Sequence, residues 1–210
     1  MTDNAPSTEA AQQPSLYRAV SAAAHRLQRD LLASHNHAES HARSVLSRLR
    51  RAGMTDPGRD PLGWWAVSED VLGDLPEGDI GHGDEPSVSE WAAFTAITLF
   101  AVHQQGQRAP AHVAGVDLGR AVGVLRRSTD SGSVKQRLDA VMLAPTPGAL
   151  RYHLRSLITL LAAHGIAIDY GRLAEDLRAL RRPQRRPGVV VRWGRGYAAT
   201  LRREAAPDDE

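Results

Sequence analysis

Three histidines, His35, His37 and His41, are the residues of this sequence whose types and spacing come nearest to metal chemistry. On a helix His37 and His41 would lie one turn apart on the same face, as a zinc pair does. They lack the glutamate placed as in the H-E-x-x-H arrangement. The chain of 210 residues has no cysteine, which removes thiolate zinc ligation, thiol nucleophiles and disulfides together. His82 and Asp84 form a second, weaker pair in a glycine-rich acidic stretch. Eight carboxylates between Glu69 and Glu90, with no basic residue among them, could in principle hold magnesium. Without a strand to position them, loop carboxylates are read as solvated charge. No G-x-S-x-G, phosphate-binding Walker loop or dinucleotide fingerprint is present. These absences argue against an enzyme, a metal site and a cofactor.

The arginines make a more coherent pattern. From Leu118 to Ala206 there are 17 Lys/Arg against 6 Asp/Glu, a local balance of +11, although the whole chain carries only +2. Such asymmetry points to a surface for a polyanion. The basic residues are 25 Arg and a single Lys, Lys135. Arginine grips phosphate through planar, bidentate contacts. Over residues 38–52, Arg43 and Arg50 border one side of the apolar stripe, with Arg48 and Arg51 on the other. Further on, Arg151 and Arg155 are one helical turn apart, and Arg126 and Arg127 end a helix whose dipole already favours positive charge.

The elements that carry these side chains are helical. Hydrophobic residues make up 42% and aromatics only 5%, so Leu, Ala and Val must build the core, a composition that favours helix over sheet. Leu16, Val20, Ala23, Leu27 and Leu31 recur at helical spacing, and Ala42, Val45, Leu46 and Leu49 do so again. Gly53, Pro57, Gly58, Pro61 and Gly63 form a breaking loop, after which Trp64 and Trp65 begin a short helix anchored in the core. Ser87 and Glu90 make a capping box before Trp91–Val102, apolar almost all round and therefore a buried central helix. Gly106–Gly115 reads as a linker. Beyond it, Asp117, Ser133, Thr146 with Pro147, and Asp169 are four successive N-cap signals. Gly165 stops the Leu150–Leu161 helix, and Pro183 and Pro187 end the one after it. Over 189–203, Val189–Val191 look strand-like, yet Trp193, Tyr197 and Leu201 repeat at four, which favours helix despite Gly194 and Gly196. The predicted organisation is a disordered tail at 1–14, an N-terminal helical lobe at 15–105, a basic C-terminal helical bundle at 116–203 and an acidic tail at 204–210. The polar start and the lack of any membrane-spanning apolar run predict a cytoplasmic protein.

In this order the segments ARSVLSRLRRA (Ala42–Ala52), WAAFTAITLFAV (Trp91–Val102), LGRA (Leu118–Ala121), SVKQRL (Ser133–Leu138), LRYHLRSLITLL (Leu150–Leu161), GIAIDYGRLAEDL (Gly165–Leu177) and the stretch from Val191–Trp193 onward resemble the CasB family, the small subunit of the type I-E CRISPR Cascade complex. The resemblance covers most of residues 15–203. It implies an all-α, elongated, two-lobed helical bundle without catalytic activity, cofactor or small-molecule substrate. Its partners would be other Cascade subunits, a second copy of itself, guide RNA and target DNA. Basic residues within the matched segments become the nucleic-acid-binding candidates: Arg50, Arg51, Arg120, Arg126, Arg127, Lys135, Arg137, Arg151 and Arg155. After Trp193 the chain departs from the family's usual pattern with Gly-Arg-Gly-Tyr, which leaves Arg195 unassigned.

The sequence admits two other readings. One is a metal-dependent nuclease using His37, His41 and nearby carboxylates. The other is a DNA-binding regulator with a helix-turn-helix at Thr146–Leu180.

Overall fold

The computed structural model describes residues 15–33, 37–129 and 131–202. The two predicted tails and His35 lie outside these. Nine α-helices occur among the described residues: α1 (Leu16–Leu32), α2 (His37–Ala52), α3 (Pro61–Asp70), α4 (Val88–His103), α5 (Leu118–Thr129), α6 (Ser133–Leu143), α7 (Pro147–Ala163), α8 (Tyr170–Leu180) and α9 (Arg186–Arg202). The all-α expectation holds. No described helix is long and apolar enough to cross a membrane.

The arrangement centres on α4. Its capping box is formed as predicted: the Glu90 amide donates to Ser87 Oγ (3.0 Å) and the Ser87 amide to Glu90 Oε2 (2.7 Å). Every α4 residue except Val88 and Val102 is buried. A helix with no polar face must be enclosed on all sides, and α1, α2, α7 and α8 pack around it. One apolar cluster therefore takes in residues from both sides of the 106–115 segment.

That segment is itself bonded into the body. The Gln28 side chain of α1 bonds both the amide and the carbonyl of His112, each at 3.0 Å. His112 also forms an isolated parallel bridge with Ile168, the one sheet-like pairing among the described residues. The His112 ring accepts the Tyr170 amide (3.1 Å), and the buried Tyr170 hydroxyl bonds His103 Nδ1 (2.8 Å). Burial pushes the His103 imidazole down to about 4, so it sits in the core as a neutral ring.

The other close contact is the crossing of α5 on α9. A Cβ on Gly119 would fall 2.1 Å from the Trp193 carbonyl oxygen, and one on Gly123 2.7 Å from Thr200 Cβ. Gly196 of α9 reciprocates, with Asp117 and the Arg120 backbone in the space a side chain would need. The glycines that weaken α9 as a helix thus include one that lets it approach α5. Trp193 is fully buried there and donates through its indole N–H to Asp176 Oδ2 (2.7 Å).

Several local expectations change. Ser133 is the first residue of α6 rather than its cap; Gly132 holds that position without a side-chain bond. Pro187 does not end α8 but sits in the first turn of α9, where a missing amide costs nothing. Trp64 is anchored, stacked on Phe94 at 6.0 Å, whereas Trp65 is 65% exposed. The acidic stretch folds into two 3-10 turns, Leu72–Asp74 and Glu77–Asp79, pinned by buried Val71, Leu72 and Leu75. Its Asp79 accepts Ser89 Oγ (2.8 Å) and pairs with Arg178 of α8 (3.3 Å).

The glycine geometry makes a paired prediction. Gly119→Ala should lower the unfolding free energy by at least about 2 kcal/mol, since backbone must move to admit the methyl group. Gly194→Ala, whose Cβ meets nothing within 4 Å, should raise it by about 1 kcal/mol through helix propensity. Urea denaturation of the two variants measures both signs.

Candidate nucleic-acid interface

α6 and α7 are joined by a tight turn and pack along each other. The turn is held by Arg186, which donates to the carbonyls of Met142 (2.7 Å) and Ala144 (2.9 Å) at the end of α6. α7 begins as predicted, with the Ala149 amide donating to Thr146 Oγ1 (3.1 Å) and Pro147 in the first turn. Its Leu150, Leu154, Leu157, Ile158 and Leu161 face the core. Helical spacing then places Tyr152, Arg155, Ser156, Thr159 and Ala163 along the outer side. These residues, with Arg137 of α6, line a solvent-open groove of about 450 Å³. Arg137 Nη1 donates to Ser156 Oγ (2.6 Å), which leans the guanidinium across the groove while the side chain stays exposed.

Of the nine candidate cations, the structure brings Arg137 and Arg155 together in this groove, with Arg151 one turn away. Arg151 is occupied. Its side chain is only 13% exposed, and it donates to the carbonyls of Gly53 (3.2 Å) and Thr55 and pairs with Asp56 (3.4 Å). It therefore fastens the start of α7 to the loop after α2. Burial lowers its hold on the proton, Asp56 opposes this and the Arg155 charge adds to it. Lys135, exposed on α6, pairs with Asp139 (2.6 Å). Arg126 and Arg127 stand in the last turn of α5, and Arg120 is exposed one turn after the Asp117 cap.

Arg50 and Arg51 end α2. Arg50 is half-buried, and burial followed by the Arg51 charge lowers its pKa. Arg51 and Arg48 line a mostly apolar cleft of about 440 Å³ whose other walls include the exposed Leu62 and Trp65. A third pocket collects Arg172, Arg192 and Arg195 beside Asp117, Asp169 and Asp176. There Asp176 is 2% exposed and pairs with Arg192 and, at 3.6 Å, with Arg172. Burial raises its pKa, opposed by the Arg192 and Trp193 hydrogen bonds. Arg195 thus borders a structural carboxylate cluster, a setting that its sequence neighbours do not reveal.

Two features bear on the rival readings. His37 and His41 are exposed on α2, and among the described residues no group of three or more His, Cys, Asp or Glu is placed to hold a metal. The second helix of the suggested helix-turn-helix is not available for a DNA groove. Tyr170, Gly171, Leu173, Ala174, Asp176, Leu177 and Leu180 of α8 are buried, and Gly171 sits so close to α1 that a Cβ would fall 2.0 Å from Ser21 Oγ. Only Arg172, Glu175, Arg178 and Ala179 of α8 reach the surface, and Arg172 and Arg178 are paired with Asp176 and Asp79, which counts against that reading.

Residues 45–197 match the sequence model of the CRISPR-associated protein Cse2 family. The fold matches the crystal structure of CasB from Thermobifida fusca with a TM-score of 0.70 and 31% identity, over 87% of this chain and 97% of that one. This chain belongs to the Cse2 family. CasB from Thermus thermophilus matches with a TM-score of 0.63 and 24% identity, over 88% of this chain and 99% of that one, a likeness of fold alone. No curated protein matches the chain. The resemblance to CasB read from the sequence segments is therefore confirmed. The Cse2 match runs from the middle of α2 to α9 and includes all nine candidate cations.

Sequence reasoning missed Tyr152, the aromatic member of this Cse2 protein's groove. Its signal was its position three residues before Arg155 and off the Leu face of α7. It also treated Arg151 as equivalent to Arg155, because the loop that Arg151 grips lies 95 or more residues away in the chain. Arg151→Ala should lower the unfolding free energy by about 2 kcal/mol, the scale of lost hydrogen bonds to a charged donor. Arg155→Ala should change it by less than about 0.5 kcal/mol. Chemical denaturation monitored by tryptophan fluorescence separates the two.

Proposed function

We propose that this Cse2-family protein is a non-catalytic subunit of a type I-E CRISPR RNA-guided surveillance complex, Cascade, in the cytoplasm. In this reading it works beside other Cascade subunits and a second copy of itself. Its arginine-rich surface holds the backbone of guide RNA or target DNA and helps to stabilise the opened target. Guide pairing reads sequence in such a complex, so backbone contacts suffice. The observation that carries this reading is the convergence of Arg137 and Arg155 on one open groove between α6 and α7, in the half of the chain where positive charge accumulates. Ser156, which accepts from Arg137, and Thr159, which donates to the Arg155 carbonyl (2.9 Å), add hydroxyl groups to the same groove, and no carboxylate lines it. Arg120, Arg126, Arg127 and Lys135 extend the proposed surface on α5 and α6, and Arg50 and Arg51 extend it on α2.

Phosphate contacts release counterions, so each one lost from a single strand flattens the log-affinity against log-salt slope by about 0.7. The Arg137→Ala, Arg155→Ala double variant should therefore bind every sequence more weakly and show a slope smaller by about 1.4. Fluorescence anisotropy across a salt series measures this. An unchanged slope in a folded variant would remove the groove from the function.

A nuclease remains the measurable rival. The purified protein should leave labelled single- and double-stranded DNA intact with magnesium, manganese or zinc. Metal-dependent cleavage that disappears in the His37→Ala, His41→Ala variant would overturn the non-catalytic reading.

A further inference from the structure

We infer that Tyr152 is a base-stacking residue, which makes the α6–α7 groove select unpaired nucleotides over duplex. This rests on the nucleic-acid reading of that groove and adds to it the state of the strand that fits.

Three observations lead there. Tyr152 is 72% exposed on a helix whose Leu150, Leu154, Leu157, Ile158 and Leu161 are buried, and the half-buried Leu160 lines the groove with it. Both cations stand one turn beyond Tyr152: Arg155 is three residues on along α7, and Arg137 reaches across from α6 to Ser156, four residues on. The ring also has a defined neighbour, the edge-to-face contact with His153 at 5.4 Å and 75°, which favours one orientation.

An open aromatic face beside guanidinium groups is a combination that binds single strands. The cations follow the backbone, and a base stacks on the ring whatever its identity. In a duplex both faces of every internal base are covered by neighbouring pairs, so the ring finds no partner there. The arginines contribute to both forms of nucleic acid; the tyrosine contributes to one.

The full-length protein, Tyr152→Ala, Tyr152→Phe and the Arg137→Ala, Arg155→Ala variant would each be titrated with a labelled single-stranded oligonucleotide and with the matching duplex, over a salt series. Tyr152→Ala should weaken single-strand binding roughly five- to hundredfold, leave duplex binding unchanged and keep the salt slope of the parent. Tyr152→Phe should bind as the parent does, because stacking needs the ring and not the hydroxyl. Quenching of 2-aminopurine placed in the single strand should accompany binding of the parent and the Phe variant, and be lost with Ala.

If Tyr152→Ala binds single strands as the parent does while the double Arg variant flattens the slope, the stacking role is wrong and the backbone-binding role stands. If neither variant affects binding, both fall. Equal loss for single strand and duplex would also sink the inference, since it would mean a general disturbance of the groove. So would unchanged binding combined with failure of the variant to enter an assembled complex, which would make Tyr152 a protein contact.

Discussion

A helix that is apolar on every side cannot stand at a surface, and most of this architecture follows from that constraint on α4. Trp91, Phe94, Ile97 and Phe100 project in different directions, so no single partner could cover them. The cover comes from α1 and α2 before it in the chain and from α7 and α8 after it. Enclosing α4 commits most of α8 to the interior and leaves Arg172, Glu175, Arg178 and Ala179 on its outer edge. It also turns the Leu stripe of α7 inward, which leaves the opposite side of α7 facing water. The groove that carries the proposed function is thus the remainder of a packing solution: α7 shows Tyr152 and Arg155 outward because its leucines are needed inward.

The second constraint is distance of approach. α5 and α9 meet through glycines, which brings Trp193 deep enough to bond the buried Asp176. Burying a carboxylate is tolerable only when its oxygens are satisfied. Here Arg192, Arg172 and the indole N–H satisfy them. The positive charge of the C-terminal half therefore includes two contrasting groups. Arg151, Arg178, Arg186 and Arg192 hold carbonyls or carboxylates of the fold itself. Arg137 and Arg155 remain directed at a solvent-open groove.

That division explains what could be read from the sequence. Elements governed by local chemistry were legible: the capping box at Ser87, Thr146 with Pro147, Asp117 and Asp169 at helix starts, and the buried run of α4. Order and spacing of short segments also carried the family. What failed depended on tertiary partners. Ser133 looked like a cap because its neighbours suit one, yet the backbone places Gly132 there. Trp65 looked like core beside Trp64, but only one of two adjacent helical residues can meet Phe94. Arg151 and Arg155 share spacing and type, and only the distant 53–56 loop distinguishes them. Tyr152 was overlooked because its relevance comes from Arg137, which belongs to another helix.

The placement of α8 against α4 has a consequence for how the chain is made. The ribosome finishes α4 at His103 and α8 at Leu180, 77 residues later. At about 5–20 residues per second, that interval is roughly 4–15 s. Throughout it the most apolar helix of the protein has emerged, or is emerging, with part of its covering still unsynthesised. Until α8 has emerged and packed, Trp91–Val102 is a partly uncovered apolar segment of the kind that a holding chaperone suits.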